Sequence, residues 1–123
     1  MIGQTITIGH IAHILLALPA APTAIFATSN ALTMGAVAAI KTRGLRCPEE
    51  VSVIGYDSYE WQDVFSPRLV TVQQPAYLIG KRAAELLLDR LAGRKMGPPE
   101  TVVLRTNLVI RDSCAPPCAA RRS

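Results

Sequence analysis

The run Val51-Ser52-Val53-Ile54-Gly55 is apolar and rich in β-branched residues, stops at a glycine, and opens into Tyr56-Asp57-Ser58-Tyr59-Glu60-Trp61. No other stretch leaves the chain so few choices. Such a run suits a central strand covered on both faces, and Gly55 with Asp57 marks where the backbone leaves the sheet. Asp57 is thereby delivered near the strand's carboxyl end. In open parallel α/β sheets, ligands bind in the crevice outside that end. A carboxylate there accepts hydroxyl hydrogen bonds, and Trp61 adds an apolar ring face with one donor. The same Gly-x-Asp pattern equally fits an aspartate capping the turn that follows.

Upstream, Thr23 to Thr28 is a second short apolar run, followed by Ser29-Asn30, both good helix N-caps. From Ala31 to Arg43 the pattern is helical. Leu32, Ala36, Val37 and Ile40 share a stripe, Lys41 and Arg43 suit the negative end of the helix dipole, and Gly44 suits the C′ position. Run, helix and the Val51 run make a β-α-β unit, whose crossover is long enough for parallel strands. Ser29, Asn30 and Asp57 are therefore expected at one edge of the sheet.

Downstream, Leu69 to Gln73 is a third β-type run, and Gln74-Pro75 opens a helix with proline in its first position. Ile79, Ala83, Leu86, Leu87 and Leu91 give that helix an apolar face, and Gly93 closes it. Thr101 to Leu104 and Leu108 to Arg111 read as two further β runs, and residues 112–123 as a disordered tail. The fold class is thus α/β, a layered fold on a parallel sheet.

Composition narrows the function. Aromatics are only 5% of a chain that is 50% hydrophobic, so the core is aliphatic and layered. The net charge of +4 is scattered and partly in Arg121 and Arg122, with no basic face to grip a nucleic acid. Ile11 to Ala21 is apolar, but no Lys or Arg precedes Lys41, which argues against a secretory signal, and the run is too short to span a membrane. It reads as a helix, Ile11 to Leu18, stopped by Pro19 and Pro22. Three cysteines, an odd number with no secreted framework, point to a reducing, cytoplasmic compartment. Cys114 with Cys118, and His10 with His13, are pairs too few to hold zinc, so no metal or other cofactor is expected. A Gly-rich phosphate loop, a G-x-S-x-G elbow and an H-E-x-x-H helix are all missing from these residues, which argues against an enzyme.

The succession P-T-A-I-F-A-T-S-N-A-L-T-M-G-A, R-G-L-R-C-P-E-E-V-S-V-I-G-Y-D, S-P-R-L-V-T-V-Q-Q-P, I-G-K-R-A-A-E-L-L-L-D-R-L-A-G and L-V-I-R-D-S resembles the C-terminal part of the lactose-repressor-type (LacI/GalR) transcription regulators. The resemblance runs from about Ile11 to Ser113. It implies part of a periplasmic-binding-protein-like fold of two α/β lobes, with a small, sugar-like effector between them. By position, Asp57, Ser29, Asn30, Trp61 and Gln74 match effector-side residues, and Asn30 stands where the family usually carries an aspartate. The resemblance also implies a division into an N-terminal remnant (1–22), a C-terminal-lobe portion (23–74), a helix and connector of the other lobe (75–103), and return strands (104–111). The helix matching the family's dimer interface carries Leu32, Met34, Val37 and Ile40, so a homodimer is expected. Without a DNA-reading element among these residues, DNA would be bound only through a separate N-terminal domain. A periplasmic-type sugar-binding protein of the same fold is the alternative reading.

Overall fold

The computed structural model describes residues 9–117. The elements are helix α1 (Gly9–Ala17), strand β1 (Ala24–Phe26), helix α2 (Asn30–Thr42), strand β2 (Ser52–Tyr56), a 3-10 helix (Glu60–Val64), strand β3 (Val70–Gln73), helix α3 (Ala76–Leu91) and strand β4 (Asn107–Val109). The sheet runs β1-β2-β3-β4. β1 and β2 pair in parallel with Phe26 opposite Ile54, and β2 and β3 pair in parallel with Tyr56 opposite Val72. The expected crossover from β1 through α2 to β2 is present.

The chain divides into two compact units. The first comprises residues up to Val72 together with those from Leu108, and the second is Gln73–Asn107. In the first, Ala36, Val37, Ala39 and Ile40 of α2 meet Val51 and Val53 beside the sheet, with Ala12 and Leu16 of α1 and with Phe65 and Leu69 completing the core. Gly55 lets α2 approach β2 closely: a Cβ there would lie 3.0 Å from Thr33 Cγ2, and Thr33 is fully buried. Gly44 ends α2 at φ 64°, with its N–H bonded to Lys41 and that of Leu45 to Ile40, which satisfies two carbonyls of the last turn.

The second unit is α3 and the segment that follows it. Gly93, at φ 69°, closes α3 in the same way, its N–H bonded to Arg90 and that of Arg94 to Asp89. Arg90 clasps the Gly97 and Pro98 carbonyls at 3.0 and 2.8 Å, and Lys95 pairs with Glu100. No residue of α3 is buried, so its apolar side chains, Leu78, Ile79, Leu87, Leu88 and Leu91 among them, lie exposed.

Several sequence expectations are corrected. Thr101 to Leu104 forms no strand, and of residues 104–111 only Asn107–Val109 does. Pro75 is the N-cap of α3 rather than its first helical residue. The start of the supposed tail is ordered structure. Ser113 is fully buried, its Oγ donates to the Val53 carbonyl at 2.6 Å and accepts from Val70 N–H at 2.8 Å, and its own carbonyl accepts from Val53 N–H at 2.9 Å. Ser52 Oγ further donates to Ala115 O and accepts from Ala115 N–H. Local composition suggested disorder there, but these long-range bonds fix the segment; residues 118–123 lie outside the described residues. On α2, Val37 and Ile40 point into the core, 7% and 2% exposed, and are therefore not available as a dimer surface. They belong to the stripe that the sheet covers. Leu32 is half-buried and Met34 exposed.

Candidate ligand site at the carboxyl edge of the sheet

Because β1 and β2 run parallel with Ala27 N–H bonded to the Ile54 carbonyl, residues just beyond each strand emerge at the same edge. Ser29 and Asn30 leave one strand there, and Asp57 the other. Asp57 stands in the left-handed region at φ 62°, the one non-glycine residue at positive φ among those described. Asp tolerates that conformation better than most residues, because its short polar side chain can bond locally. Its backbone is held on both sides: the N–H donates to Val72 O at 2.7 Å, and the carbonyl accepts from Gln62 Nε2 at 3.3 Å.

Asn30 is the first residue of α2, and its Oδ1 accepts the Trp61 indole N–H at 2.7 Å. That bond ties the start of α2 to the 3-10 helix. It also leaves Asn30 Nδ2 as the donor this residue can present, while a carboxylate at Asp57 is purely an acceptor. A hydroxyl, which both donates and accepts, matches such a pair. Trp61 is half-buried against the core and has its only donor engaged, so what it can offer a ligand is ring face. Ser29 is the N-cap of α2: its Oγ accepts from Leu32 N–H at 3.3 Å, and its carbonyl accepts from Thr33 N–H and Thr33 Oγ1. Gln74 is exposed and belongs to the second unit.

Sequence reasoning missed two residues nearby. Gln62 sits in a polar segment and reads as surface, yet it is 4% exposed and props Asp57. Arg111 reads as the end of a β run, yet its Nη1 bonds Leu69 O at 2.8 Å and Thr71 Oγ1 at 3.0 Å. The alternation Leu108-Val109-Ile110-Arg111, which turns Val109 and Arg111 to the same side, was the available signal.

No group of three metal-ligating side chains comes together among the described residues, where His10 is exposed and His13 half-buried on α1. No described helix is long and apolar enough to cross a membrane.

Residues 4–114 match the sequence profile of the periplasmic binding protein-like domain. The chain belongs to that family. Within the periplasmic binding protein-like family, its relatives are LacI-type regulators. It is 39% identical over 99 residues to the HTH-type transcriptional repressor CytR of Escherichia coli K12, and 41% identical over 99 residues to the HTH-type transcriptional repressor PurR of Mannheimia succiniciproducens. In both cases the match covers 80% of this chain and 29% of the relative, so the chain spans under a third of their length. Among solved structures, the transcriptional regulator CelR in complex with cellobiose superposes with a TM-score of 0.78 at 33% identity, covering 86% of this chain and 32% of that one. The α/β architecture on a mainly parallel sheet is the one these domains share.

Proposed function

We propose that the chain is part of the effector-binding domain of a LacI-type transcription repressor, and that it holds a small, sugar-like effector at the carboxyl edge of its sheet. The observation that carries this reading is that a left-handed Asp57 and the hydrogen-bonded Asn30–Trp61 pair emerge at the same edge of the sheet. Asp57 accepts the effector's hydroxyl protons, Asn30 Nδ2 donates, the Trp61 ring covers an apolar face, and Ser29 adds a polar contact. The cellobiose bound by the regulator CelR is of this chemical class.

The protein acts by binding, not catalysis, and works in the cytoplasm. An effector that binds one arrangement of the domain more tightly than another shifts their populations, and thereby the fit of an attached DNA-reading domain. The chain itself makes no sequence-specific DNA contact. Self-association proceeds through the exposed side of α2 at Met34, with the half-buried Leu32 at its margin.

The test is titration of the isotope-labelled chain with mono- and disaccharides, cellobiose included, followed by NMR. Saturable shifts of the Asn30 side-chain amide, the Trp61 indole N–H and the Asp57 backbone amide are expected. Shifts confined to other residues, or none for any sugar, would overturn the reading.

A further inference from the structure

Two cysteines that stand far apart in the sequence, Cys47 and Cys114, are brought to the same pair of residues in the first unit. Val53 of β2 and Ser113 are joined there, the Val53 N–H donating to the Ser113 carbonyl at 2.9 Å. Cys47 Sγ lies 3.7 Å from that carbonyl oxygen, which belongs to the peptide unit immediately ahead of Cys114. Cys114 Sγ lies 3.5 Å from the Val53 carbonyl oxygen, and the Cys47 thiol also bonds the Val53 backbone. Both cysteines are unbridged. Each thiol is felt by the other, since Cys114 is one of the groups that hold the Cys47 thiol above its ordinary range.

Neither sulfur hangs from a loose segment. Cys47 stands in a turn closed by the Glu50 N–H to the Arg46 carbonyl at 2.9 Å, and the Glu50 carboxylate accepts from the Arg46 N–H at 2.9 Å and pairs with its guanidinium at 3.1 Å. Cys114 is held by its neighbours, Ser113 bonded to both β2 and β3, and Ala115 bonded to Ser52. Two backbones fixed in this way have little freedom left to lose when their side chains are joined. Their access to solvent differs, Cys114 being exposed and Cys47 half-buried. A small molecule arriving from solvent therefore meets Cys114 first.

We propose that Cys47 and Cys114 are a redox-responsive pair, which a low-molecular-weight disulfide of the glutathione type converts into an intramolecular bridge between the turn before β2 and the segment after β4. The Cys114 thiolate attacks one sulfur of the small disulfide, whose S–S bond breaks and releases one small thiol. Cys47, as its thiolate, then attacks the Cys114 sulfur of the mixed disulfide and expels the second. Two electrons pass from the protein to the small disulfide, and the two protons lost by the cysteines are balanced by those gained by the two released thiols. In a reducing compartment the pair stays open, and it closes as the glutathione pool becomes oxidised. The strand so tied is β2, which delivers Asp57 to the carboxyl edge. This assignment does not depend on the effector reading.

The test uses the full 123-residue chain carrying Cys118→Ser, which removes the third thiol, a residue outside those described. Micromolar protein is incubated with millimolar oxidised glutathione and read by intact mass, non-reducing gel and peptide mass spectrometry, then by urea denaturation. A single chain lighter by two hydrogens is expected, with the tryptic peptides that hold Cys47 and Cys114 linked. Adding Cys47→Ser should stop the reaction at a glutathione adduct on Cys114. The oxidised protein should unfold at a higher urea midpoint than the reduced one, because an unstrained bridge constrains the unfolded chain. A glutathione adduct that persists on Cys114 while Cys47 stays reduced, bridges only between chains, or a midpoint lowered by oxidation would each overturn the proposal.

Discussion

A methyl group on Gly55 would come within 3.2 Å of Thr33 Oγ1 as well as 3.0 Å of its Cγ2. Thr33 cannot step aside, since its hydroxyl donates to Ser29 O at 2.8 Å and its side chain is fully buried. Gly55→Ala should therefore cost about 1–3 kcal/mol, the usual range for overpacking a filled core, measured as a lower urea midpoint with unchanged slope. Cys47 illustrates a different single-residue effect. Burial first, then the neighbouring Cys114 thiol and the Glu49 carboxylate, push its thiol from 9.0 to about 11, against a lowering by its hydrogen bond to the Val53 backbone. Raised above its unfolded value, the thiol leaves stability untouched below about pH 9 and removes it as pH climbs toward 11, because the unfolded chain ionises there and the folded one resists. Since the thiolate is the reactive form, iodoacetamide at pH 8 should label the exposed Cys114 well before Cys47, as peptide mass spectrometry would show.

At the scale of elements, α2, β2, β3 and α3 were legible because each carries its own local pattern: an apolar stripe at helical spacing, a β-branched run, and glycines at the two helix ends. Asp57 was legible for the same reason, standing one step beyond a strand. What escaped the sequence was held by distant partners. Thr101 to Leu104 has the composition of a strand but pairs with no strand among the described residues. Ser113 lies among tail-like residues yet joins β2 to β3, and the Asn30–Trp61 bond spans 31 residues. Ser113→Ala would leave Val70 N–H and the Val53 carbonyl without the hydroxyl, both in the interior. A loss of about 1–3 kcal/mol is expected, the usual cost of one orphaned buried group, because the Val53 carbonyl still accepts from Cys114 Sγ at 3.5 Å. Urea denaturation monitored by circular dichroism checks it, and an unchanged midpoint would show that residues from Asp112 onward do not brace the sheet.

For the whole molecule, the exposed apolar surface of α3 and the exposed Met34 on α2 favour association over a monomer. The corrected burial of Val37 and Ile40 changes how this is probed, because a charge at either position would break the core instead of a contact. Met34→Lys is the informative substitution. Light scattering across a dilution series should give a mass above that of one chain for the parent, and a lower one for Met34→Lys. A parent that stays monomeric at high concentration would refute the association, and an unchanged mass in the variant would remove α2 from the contact.

The central claim is that the edge carrying Asp57 is where an effector is gripped, and Trp61, the single tryptophan of the chain, is hydrogen-bonded beside it. Its fluorescence, titrated with mono- and disaccharides in the parent and in Asp57→Asn, tests that claim most directly. Asparagine removes the charge yet tolerates the left-handed backbone, so a change in affinity reports on the carboxylate and not on strain. A saturable fluorescence change is expected for a sugar in the parent, with its midpoint raised about tenfold or more in Asp57→Asn, since a hydrogen bond to a charged acceptor is lost. No fluorescence response to any sugar, or the same midpoint in both proteins, would contradict it.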